Sequence, residues 1–424
     1  MTEKRVSHRI TRNLMIPRSQ SQVIADWLLL VGLAIAAFGM ATSVPVVYVG
    51  FGISVLGCWA SFPQVVKFAV GWPWAMAFSG WVALVGIISP YDISRIPPGF
   101  VYCWPAMAVW ALAASDRRRL SFAWWALAGG ALGAALLALA QAAVGYNREL
   151  RPFRIDAEGV RWEKASGFYS HWIRFGDAMA CATLWLVVWL QTGLSSPQRA
   201  LFGSCLVGMI GVIATFISSA RGAFLALLGG AWLLAAGLVS RRRLGLVTIG
   251  LIGLSAVTVM LAPPLYQERL RNALSGQDGR IYIWDTAWHT FLQRPWLGVG
   301  DGAYNQAATA TVTAGLSPAG PEGPEMGNAH NSFLSLLVLY GVPGLLLWSG
   351  WLLSVVRHLW KRRANHPAVW PITLATLGVF LVGGLTEDLA AYASSRFQLF
   401  FGLALALGLA AQATDAERAE SDRS

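Results

Sequence analysis

Long apolar runs alternate with short polar or basic segments along almost the whole chain. A run of about 20 apolar residues is long enough to cross the roughly 30 Å hydrocarbon core of a bilayer as a helix. Twelve such spans are predicted, at residues 23–41, 44–60, 70–89, 99–114, 122–145, 173–190, 200–217, 222–239, 244–262, 332–356, 368–386 and 396–412. The pattern therefore predicts an all-α, polytopic membrane protein in which residues 1–424 form a single membrane domain.

Composition indicates the same class of protein. Hydrophobic residues make up 56% of the chain and charged residues only 12%, which excludes an ordinary soluble globular domain. The four cysteines all lie inside apolar spans without C-x-x-C spacing, so neither a disulfide framework nor a zinc site is predicted. The first span follows a basic segment but is too long for a signal peptide, and we interpret it as a retained helix.

The distribution of basic residues sets the expected orientation. If every span crosses once, the basic clusters at 117–119, 241–243 and 357–363 fall on the same side as the N-terminus. Lys and Arg accumulate in the cytoplasmic loops of membrane proteins. The sequence therefore predicts that both termini are cytoplasmic.

Two loops on the opposite, outer side are long. Residues 146–172 are rich in arginine and aromatic residues, which predicts an ordered cap, and residues 263–331 form a larger loop. Within the larger loop, Ile281, Trp284, Trp288 and Leu292 recur at helical spacing and form one apolar stripe. That stripe lies either on the membrane surface or against the bundle. The Gly- and Pro-rich residues 317–328 that follow are a candidate lid.

Arginines on the outer side are bunched rather than scattered. Arg154, Arg161 and Arg174 belong to the first outer loop and the helix start that follows it. One interpretation is that they pair with acidic residues of the same loop. The other is an anion site, because guanidinium groups bind phosphate oxygens bidentately and keep their charge at every relevant pH.

His330 lies directly before the tenth predicted span. An imidazole can accept a proton near neutral pH, so His330 is a candidate general base at the mouth of a helix. The alternative is that His330 and Asn331 only cap the helix that starts at Ser332, which explains Asn331 better than His330. His171, three residues before Arg174, is the competing histidine.

Arg221 lies between two apolar spans with almost no loop around it. An arginine at that depth is costly unless it snorkels to the interface or binds an anion. The neighbouring Ser218, Ser219 and Gly222 leave room for a phosphate to approach, and this favours a ligand role.

Other motifs carry less information. No strand precedes the glycines at 298, 300 and 302, so a tight turn is a better interpretation than a nucleotide loop. No D-x-D pair is present to hold a divalent metal. The adjacent acids Glu387 and Asp388, at the outer end of the eleventh span, are assigned no role beyond neutralising arginines such as Arg396.

Four motifs together resemble the bacterial O-antigen ligase family, which shares a domain with O-antigen polymerases. They are S-S-A-R-G at Ser218 to Gly222, R-x-x-x-W at Arg280 to Trp284, R-P-W-L-G-V-G-x-G at Arg294 to Gly302, and H-N-S-F-L followed by Y-G-x-x-G at His330 to Gly344. Each motif is weak alone, whereas their order and separation carry the resemblance.

The resemblance implies a metal-independent glycosyltransferase at the periplasmic face of the bacterial inner membrane. The implied donor is a glycan linked to undecaprenyl pyrophosphate, and the implied acceptor is a hydroxyl of the lipid A-core oligosaccharide. The predicted catalytic residues are His330, as the base, and Arg280, which would hold the pyrophosphate together with Arg221. From the first outer loop we add Arg161 to this pyrophosphate site and Arg154 and Arg174 for donor phosphate or the phosphorylated core, and Asn331 is a further substrate-binding candidate. Inner membrane lipids are expected as surroundings, and neither a cofactor nor a nucleic acid is expected.

Two rival functions stay open at this point. An O-antigen polymerase would use the same chemistry with a second lipid-linked glycan as acceptor. A transporter of an anionic lipid would also need buried arginines, although transporters usually carry their charged sites near the middle of the membrane.

Overall fold

The computed structural model describes residues 19–90, 103–145, 165–261, 279–318, 328–389 and 393–421, together with the single positions Gln267, Arg271 and Ser275. Within these ranges the regular structure is helical throughout. The all-α prediction is therefore confirmed for the part of the chain that is described.

The helices, numbered in chain order, are α1 Gln20–Thr42, α2 Val44–Cys58, α3 Phe62–Val65, α4 Trp72–Ile88, α5 Cys103–Ala114, α6 Arg117–Val144, α7 Trp172–Gly193, α8 Pro197–Ile217, α9 Arg221–Leu238, α10 Arg241–Leu261, α11 Gly279–Gln293, α12 Tyr304–Thr313, α13 Ser332–Lys361, α14 Val369–Gly383 and α15 Ala393–Ser421. Short 3-10 turns at Trp59–Ser61 and Val66–Phe68 flank α3.

Every predicted span coincides with one of these helices or with the bent pair α2 and α3. Among the described residues, 8 helices are long and apolar enough to cross a membrane, or up to 9 if the bent pair counts as one span. The apolar helices α4, α5 and α14 occupy the other predicted spans but are shorter, with 17, 12 and 15 residues. The chain is a multi-pass membrane protein.

Helix ends follow from local sequence. The Ser19 hydroxyl accepts from the Gln22 backbone N–H and the Gln22 side chain accepts from the Ser19 backbone N–H, which is a capping box at the start of α1. Asp116 caps α6 through the Arg119 N–H at 2.9 Å. Gly145 ends α6 in the left-handed conformation that glycine adopts without strain.

The core is built around Ala393–Gln412, the apolar part of α15, which is almost wholly buried within the bundle. Its Phe400 ring lies 4.9 Å from the Trp104 ring of α5 and 4.8 Å from the Trp351 ring of α13. Elsewhere small residues bring backbones close together, since a Cβ on Gly50 of α2 would collide with the backbone of Ala36 in α1. Close packing of this kind holds helices together where lipid provides no hydrophobic driving force.

The helix α13 is broken at Gly341, which has φ 66° and ψ −172° inside an otherwise continuous helix. Pro343 has no backbone N–H and therefore cannot bond the carbonyl of Leu339 four residues earlier. The N–H of Val342 bonds the Pro295 carbonyl at 2.8 Å instead of a carbonyl of its own helix. The break thus leaves several backbone groups of α13 that need partners from outside the helix.

The segment that follows α11 supplies partners for these groups. The carbonyls of Val338 and Leu339 accept from the N–H groups of Val299 and Gly300, each at 2.9 Å. The Tyr340 carbonyl accepts from the indole of Trp81 in α4 at 2.7 Å. The R-P-W-L-G-V-G motif, residues 294–300, therefore supplies backbone hydrogen bonds to the broken helix, and we call this segment the plug. The three glycines after Leu297 all have positive φ, as a tight turn requires.

The chain returns from this plug as α12, which packs antiparallel to α11. The Thr290 and Thr311 hydroxyls lie 2.9 Å apart, and the Thr286 and Ser317 hydroxyls also lie 2.9 Å apart. The buried side of α11 consists of Thr286, Ala287, Thr290 and Phe291. Of the predicted stripe, Ile281, Trp288 and Leu292 are exposed, whereas Trp284 is partly buried and its indole donates to the His330 carbonyl.

The first outer loop is described only from residue 165 onward. There the Gln141 side chain of α6 accepts from the N–H of Ser166 at 3.0 Å and of Gly167 at 2.9 Å. The predicted cap at 146–172 otherwise falls on residues 146–164, outside the described residues. In the loop at 263–331, the described part is α11, the plug, α12 and the residues flanking them.

Replacing Gly341 with alanine is expected to lower the thermal stability of the detergent-solubilised protein. A non-glycine residue at this φ costs about 1–3 kcal/mol in backbone strain, and the new Cβ would collide with the Trp296 carbonyl. The measurement is the unfolding midpoint by intrinsic tryptophan fluorescence. Gly253→Ala in α10 is the control, since its Cβ would meet no atom within 4 Å; equal midpoints for both variants would contradict the role given to the break.

Candidate functional site

Four chain segments meet at the end of the bundle where α13 begins, which we call the upper end. They are the start of α9, the start of α11, residues 328–332 before and at the start of α13, and residues 384–388 after α14. The basic clusters at 117–119, 241–243 and 357–363 lie at the opposite end, because they begin α6, begin α10 and end α13. The candidate site and these clusters therefore lie at opposite ends of the bundle.

The centre of the upper end is the carboxylate of Glu387. Its side chain is 1% exposed, and each oxygen contacts one cationic or titratable group. The Oε1 atom accepts from Nη2 of Arg280, and Oε2 lies 3.2 Å from Nδ1 of His330. The two residues predicted to be catalytic are therefore brought together by a third that was not predicted.

Backbone contacts hold His330 in an unusual conformation. Its φ is +44°, in the left-handed region that non-glycine residues seldom occupy. Its N–H donates to the Asn328 side-chain oxygen at 2.9 Å, and its carbonyl accepts from the Trp284 indole at 3.4 Å. Strain of this kind persists only where the surroundings over-determine it, and it is typical of functional sites.

Asn331 and Ser332 serve the backbone. The Asn331 side-chain oxygen accepts from the N–H groups of Phe333 and Leu334 at 3.0 and 3.1 Å, while its amide donates to the Leu385 carbonyl at 3.1 Å. The Ser332 hydroxyl donates to the Glu387 carbonyl at 3.1 Å. These contacts fit the capping interpretation of Asn331, and they tie the start of α13 to the segment that carries Glu387.

The first turn of α9 lies directly against Glu387. A Cβ on Gly222 would be 2.7 Å from Cγ of Glu387 and 2.7 Å from the Thr386 hydroxyl. Arg221 precedes this glycine at the first helical position and is half-buried. Ala220, the residue before it, offers no side-chain cap to the helix. Arg221 therefore directly precedes a residue that packs on Glu387, and it lies at a helix end whose dipole favours anions.

The first turn of α7 packs on the segment before α9. A Cβ on Gly176 would be 2.7 Å from the Ala223 Cβ and 2.9 Å from the Ser218 hydroxyl. Half-buried Arg174 thus belongs to an element adjoining the start of α9. His171 caps α7 through the Ile173 N–H at 3.3 Å.

The other two predicted substrate-binding arginines cannot be placed relative to this site. Arg154 and Arg161 lie outside the described residues.

A second polar cluster lies beneath the site. The Tyr340 hydroxyl donates to Asp301 at 3.0 Å, and Ser335 donates to Asp388. Burial raises the pKa of the Asp301 carboxyl, whereas the Tyr340 hydrogen bond and the charge of Arg396 act to lower it. The cationic contact that the structure shows for the Glu387 carboxylate is Arg280.

Sequence reasoning missed Glu387 as the link because its partners are far away along the chain. It is 57 residues from His330 and 107 from Arg280. The signal that was present is an adjacent acidic pair at the end of an apolar span. Within the described residues no group of three or more His, Cys, Asp or Glu side chains has a metal-binding arrangement.

Removing Arg280 is expected to destabilise the protein more than removing Arg280 and the Glu387 charge together. Arg280→Ala leaves a carboxylate that is 1% exposed without its guanidinium, and loss of one partner from a partly buried pair costs about 1–3 kcal/mol. The measurement is a double-mutant cycle of Arg280→Ala and Glu387→Gln by thermal unfolding.

The matched control is the pair Arg119 and Asp26 at the opposite end, where the atoms are 3.7 Å apart and Asp26 is 45% exposed. We expect its coupling to stay below about 1 kcal/mol. Strictly additive effects of Arg280→Ala and Glu387→Gln would show that the site contact contributes no coupling.

The comparison with protein families agrees with the motifs. A family model described as O-Antigen ligase matches residues 206–349, a range that includes Arg221, Arg280, His330 and the break in α13. Glu387 and Arg174 lie outside the matched range. No curated protein matches the chain. The chain thus carries an O-antigen ligase family domain over residues 206–349, in agreement with the resemblance that its motifs carry.

Proposed function

We propose that the protein is an O-antigen ligase, a glycosyltransferase that moves a glycan from undecaprenyl pyrophosphate to a hydroxyl of the lipid A-core oligosaccharide. The observation that carries this proposal is the Glu387 carboxylate, which contacts both His330 and Arg280 beside the start of α9. A candidate base and a guanidinium thus contact one carboxylate, and transfer from a diphosphate requires a base and cationic groups.

His330 is the general base in this mechanism. Because Nδ1 faces Glu387 at 3.2 Å, an N–H at Nδ1 leaves the Nε2 lone pair to accept the proton of the acceptor hydroxyl. The acceptor oxygen forms a bond to the anomeric carbon, the bond from that carbon to the diphosphate oxygen breaks, and its electron pair leaves with the diphosphate. Glu387 orients the imidazole and stabilises the imidazolium that results.

Arginines stabilise the departing diphosphate. A guanidinium has five N–H donors, and Arg280 can contact a phosphate while its Nη2 end stays on Glu387. Arg221 adds a second cation at the uncapped start of α9, and Arg174 lies on the adjoining element. Arg161 and Arg154 remain substrate-binding candidates from the first outer loop. Together these cations would stabilise the negative charge of the departing diphosphate, as a divalent metal ion would, so the proposed mechanism is metal-independent.

Orientation follows from the charges at the two ends. The basic clusters lie opposite the site, and lysine and arginine accumulate on the cytoplasmic side. The upper end is therefore proposed to be periplasmic, with both termini cytoplasmic and the helices in the lipids of the bacterial inner membrane. A periplasmic site is where both lipid-linked substrates would be accessible.

Replacing His330 with alanine is expected to reduce transfer by about 100-fold to 10,000-fold, which is the usual contribution of general base catalysis. The assay uses proteoliposomes containing lipid A-core and the lipid-linked donor, and measures glycan attached to lipid A-core. His289→Ala is the control, because His289 lies on the same loop but contacts Asp285 rather than the site.

Full transfer by the His330 variant would remove it as the base. If the wild-type protein lengthened lipid-linked glycans and left lipid A-core bare, the protein would be a polymerase instead of a ligase.

Replacing Arg221 or Arg280 with lysine is expected to lower kcat/KM by about tenfold or more although the charge is kept. A lysine ammonium is a point charge and cannot reproduce the two parallel hydrogen bonds of a guanidinium. Arg199→Lys, at the start of α8 and away from the site, is the control. Unchanged kinetics in both site variants would contradict the proposed role of the arginines.

Transfer activity is also expected to survive treatment with EDTA. A loss of activity with EDTA that Mg²⁺ restores would contradict the proposal that arginines take the place of a metal ion.

A further inference from the structure

Asp177 carries a carboxyl group inside the bundle that the proposed mechanism does not use. It is the sixth residue of α7, roughly 8 Å along the helix from its start at 1.5 Å per residue. Its side chain is fully buried, and neither carboxyl oxygen has a hydrogen-bond partner among the described residues. Ionisable residues inside a membrane domain are costly, and those that occur usually serve a function and have a partner.

One face of α15 presents further buried polar groups. Ser395 and Gln398 are three residues apart in the first two turns of α15, so they lie on the same face of the helix. The Ser395 hydroxyl faces Asp177. The Ser395 oxygen and the Gln398 side-chain nitrogen are buried, and within the described part of the chain neither has a hydrogen-bond partner.

Tyr169 joins these groups on the side of α1. Its hydroxyl donates to the Met40 carbonyl at 2.7 Å, and the side chain of Gln398 lies next to it. Asp177 acts on Tyr169 electrostatically, which places these two side chains near one another as well. A phenolic oxygen that donates its hydrogen keeps lone pairs that can coordinate a cation. Tyr169, Asp177, Ser395 and Gln398 therefore form one buried polar group, which we call the α7–α15 cluster.

The charge of Asp177 distinguishes this cluster from a neutral hydrogen-bonding network. The charged group that acts on Asp177 is the carboxylate of Glu387, which has the same sign. Glu387 is itself paired with Arg280 and His330. Asp177 has no such pairing, because no cationic side chain of the described residues acts on it.

Two positive charges lie near the cluster, but neither balances Asp177 fully. Arg396 follows Ser395 in the chain, and its charge acts on Asp301 and on Cys103 of α5. The N-terminus of α15 contributes only about half an elementary charge. A buried carboxyl group with partial compensation requires either a counter-ion or a proton.

Oxygen atoms dominate the cluster, and this selects the kind of ion. Carboxylate, hydroxyl, phenolic and amide oxygens are hard ligands, which suit alkali and alkaline-earth cations better than copper or zinc. Gln398 can present its amide oxygen after a half turn of the amide group. The single carboxylate balances one positive charge, whereas a divalent cation would keep an excess charge. An ordered water would satisfy the hydrogen bonds but would leave the charge of Asp177 unbalanced.

We propose that the α7–α15 cluster is a binding site for a monovalent metal ion, with Na⁺ as the ligand. Membrane proteins often coordinate Na⁺ where helices are interrupted, and the cluster adjoins the interruption between Gly383, where α14 ends, and Ala393, where α15 begins. The ion would hold α7 against α15 and would thereby support the segment that carries Glu387. It goes beyond the proposed transfer reaction, in which it takes no part, and EDTA would not remove it.

The first test measures the unfolding midpoint of the detergent-solubilised protein in NaCl and in choline chloride at equal ionic strength. The wild-type midpoint is expected to be about 2–4 °C higher in NaCl, and the effect should saturate as the Na⁺ concentration rises. Asp177→Asn should abolish the dependence on Na⁺. In choline chloride this variant should unfold at or above the wild-type midpoint, since its amide carries no charge.

The second test measures equilibrium binding of radioactive ²²Na⁺ to the purified protein. Ser395→Ala is expected to raise the Na⁺ concentration needed for half-saturation by about tenfold, as for the loss of one ligand to a metal. Thr373→Val is the matched control, because the Thr373 hydroxyl is also buried but donates to the Val369 carbonyl of its own helix at 2.7 Å. This control should bind Na⁺ as the wild type does. If Asp177→Asn does not fold, Ser395→Ala and the wild-type titration still decide the question.

Equal wild-type midpoints in the two salts, or Na⁺ binding that survives both Asp177→Asn and Ser395→Ala, would overturn the inference. So would a wild-type midpoint that ignores Na⁺ and falls as the pH rises, because a proton would then neutralise Asp177. None of these measurements uses a glycan donor or acceptor, so their outcome is independent of the proposed function.

Discussion

The break in α13 is the constraint on which the upper end depends. A membrane-embedded helix with a proline at position 343 and a left-handed Gly341 exposes carbonyls that need partners. The turn after α11 supplies them through the N–H groups of Val299 and Gly300. These bonds fix one end of α11, so Arg280 at its other end is held at a defined place. The break in α13 thus helps to position a residue of the candidate site.

Electrostatics at the site follow from one buried carboxylate. The Glu387 carboxylate contacts the Arg280 guanidinium and the His330 imidazole. Gly222 and Ser332 pack closely against the same residue and leave it little room to move. A carboxylate in such a place costs free energy unless it is paired. Its pairing with Arg280 and His330 satisfies that requirement and couples the proposed anion site to the proposed base, so neither residue acts alone.

The sequence predicted most of the helices because apolar runs report membrane spans directly. His330 and Arg221 stand out in the sequence because each lies beside an apolar run, whereas Arg280 was named only through the R-x-x-x-W motif of the family resemblance. Their roles remain predictions. The sequence could not predict the break at Gly341 as a docking point, because that depends on which backbone is near. Glu387 was noticed as half of an acidic pair, but its contacts join residues too far apart along the chain for spacing to reveal. Arg154 and Arg161, outside the described residues, remain predictions.

Rigid attachment of α11 at both ends bears on how the site would work. Stabilisation of a leaving diphosphate is most effective when the cations are already oriented and need not reorganise. Here Arg280 is fixed by Glu387 at the top of α11, and the bottom of α11 is held by the broken helix. A flexible loop bearing the same residues would lose free energy in ordering them before each reaction. An α11 that is held at both ends, by Glu387 and by the break in α13, avoids that loss.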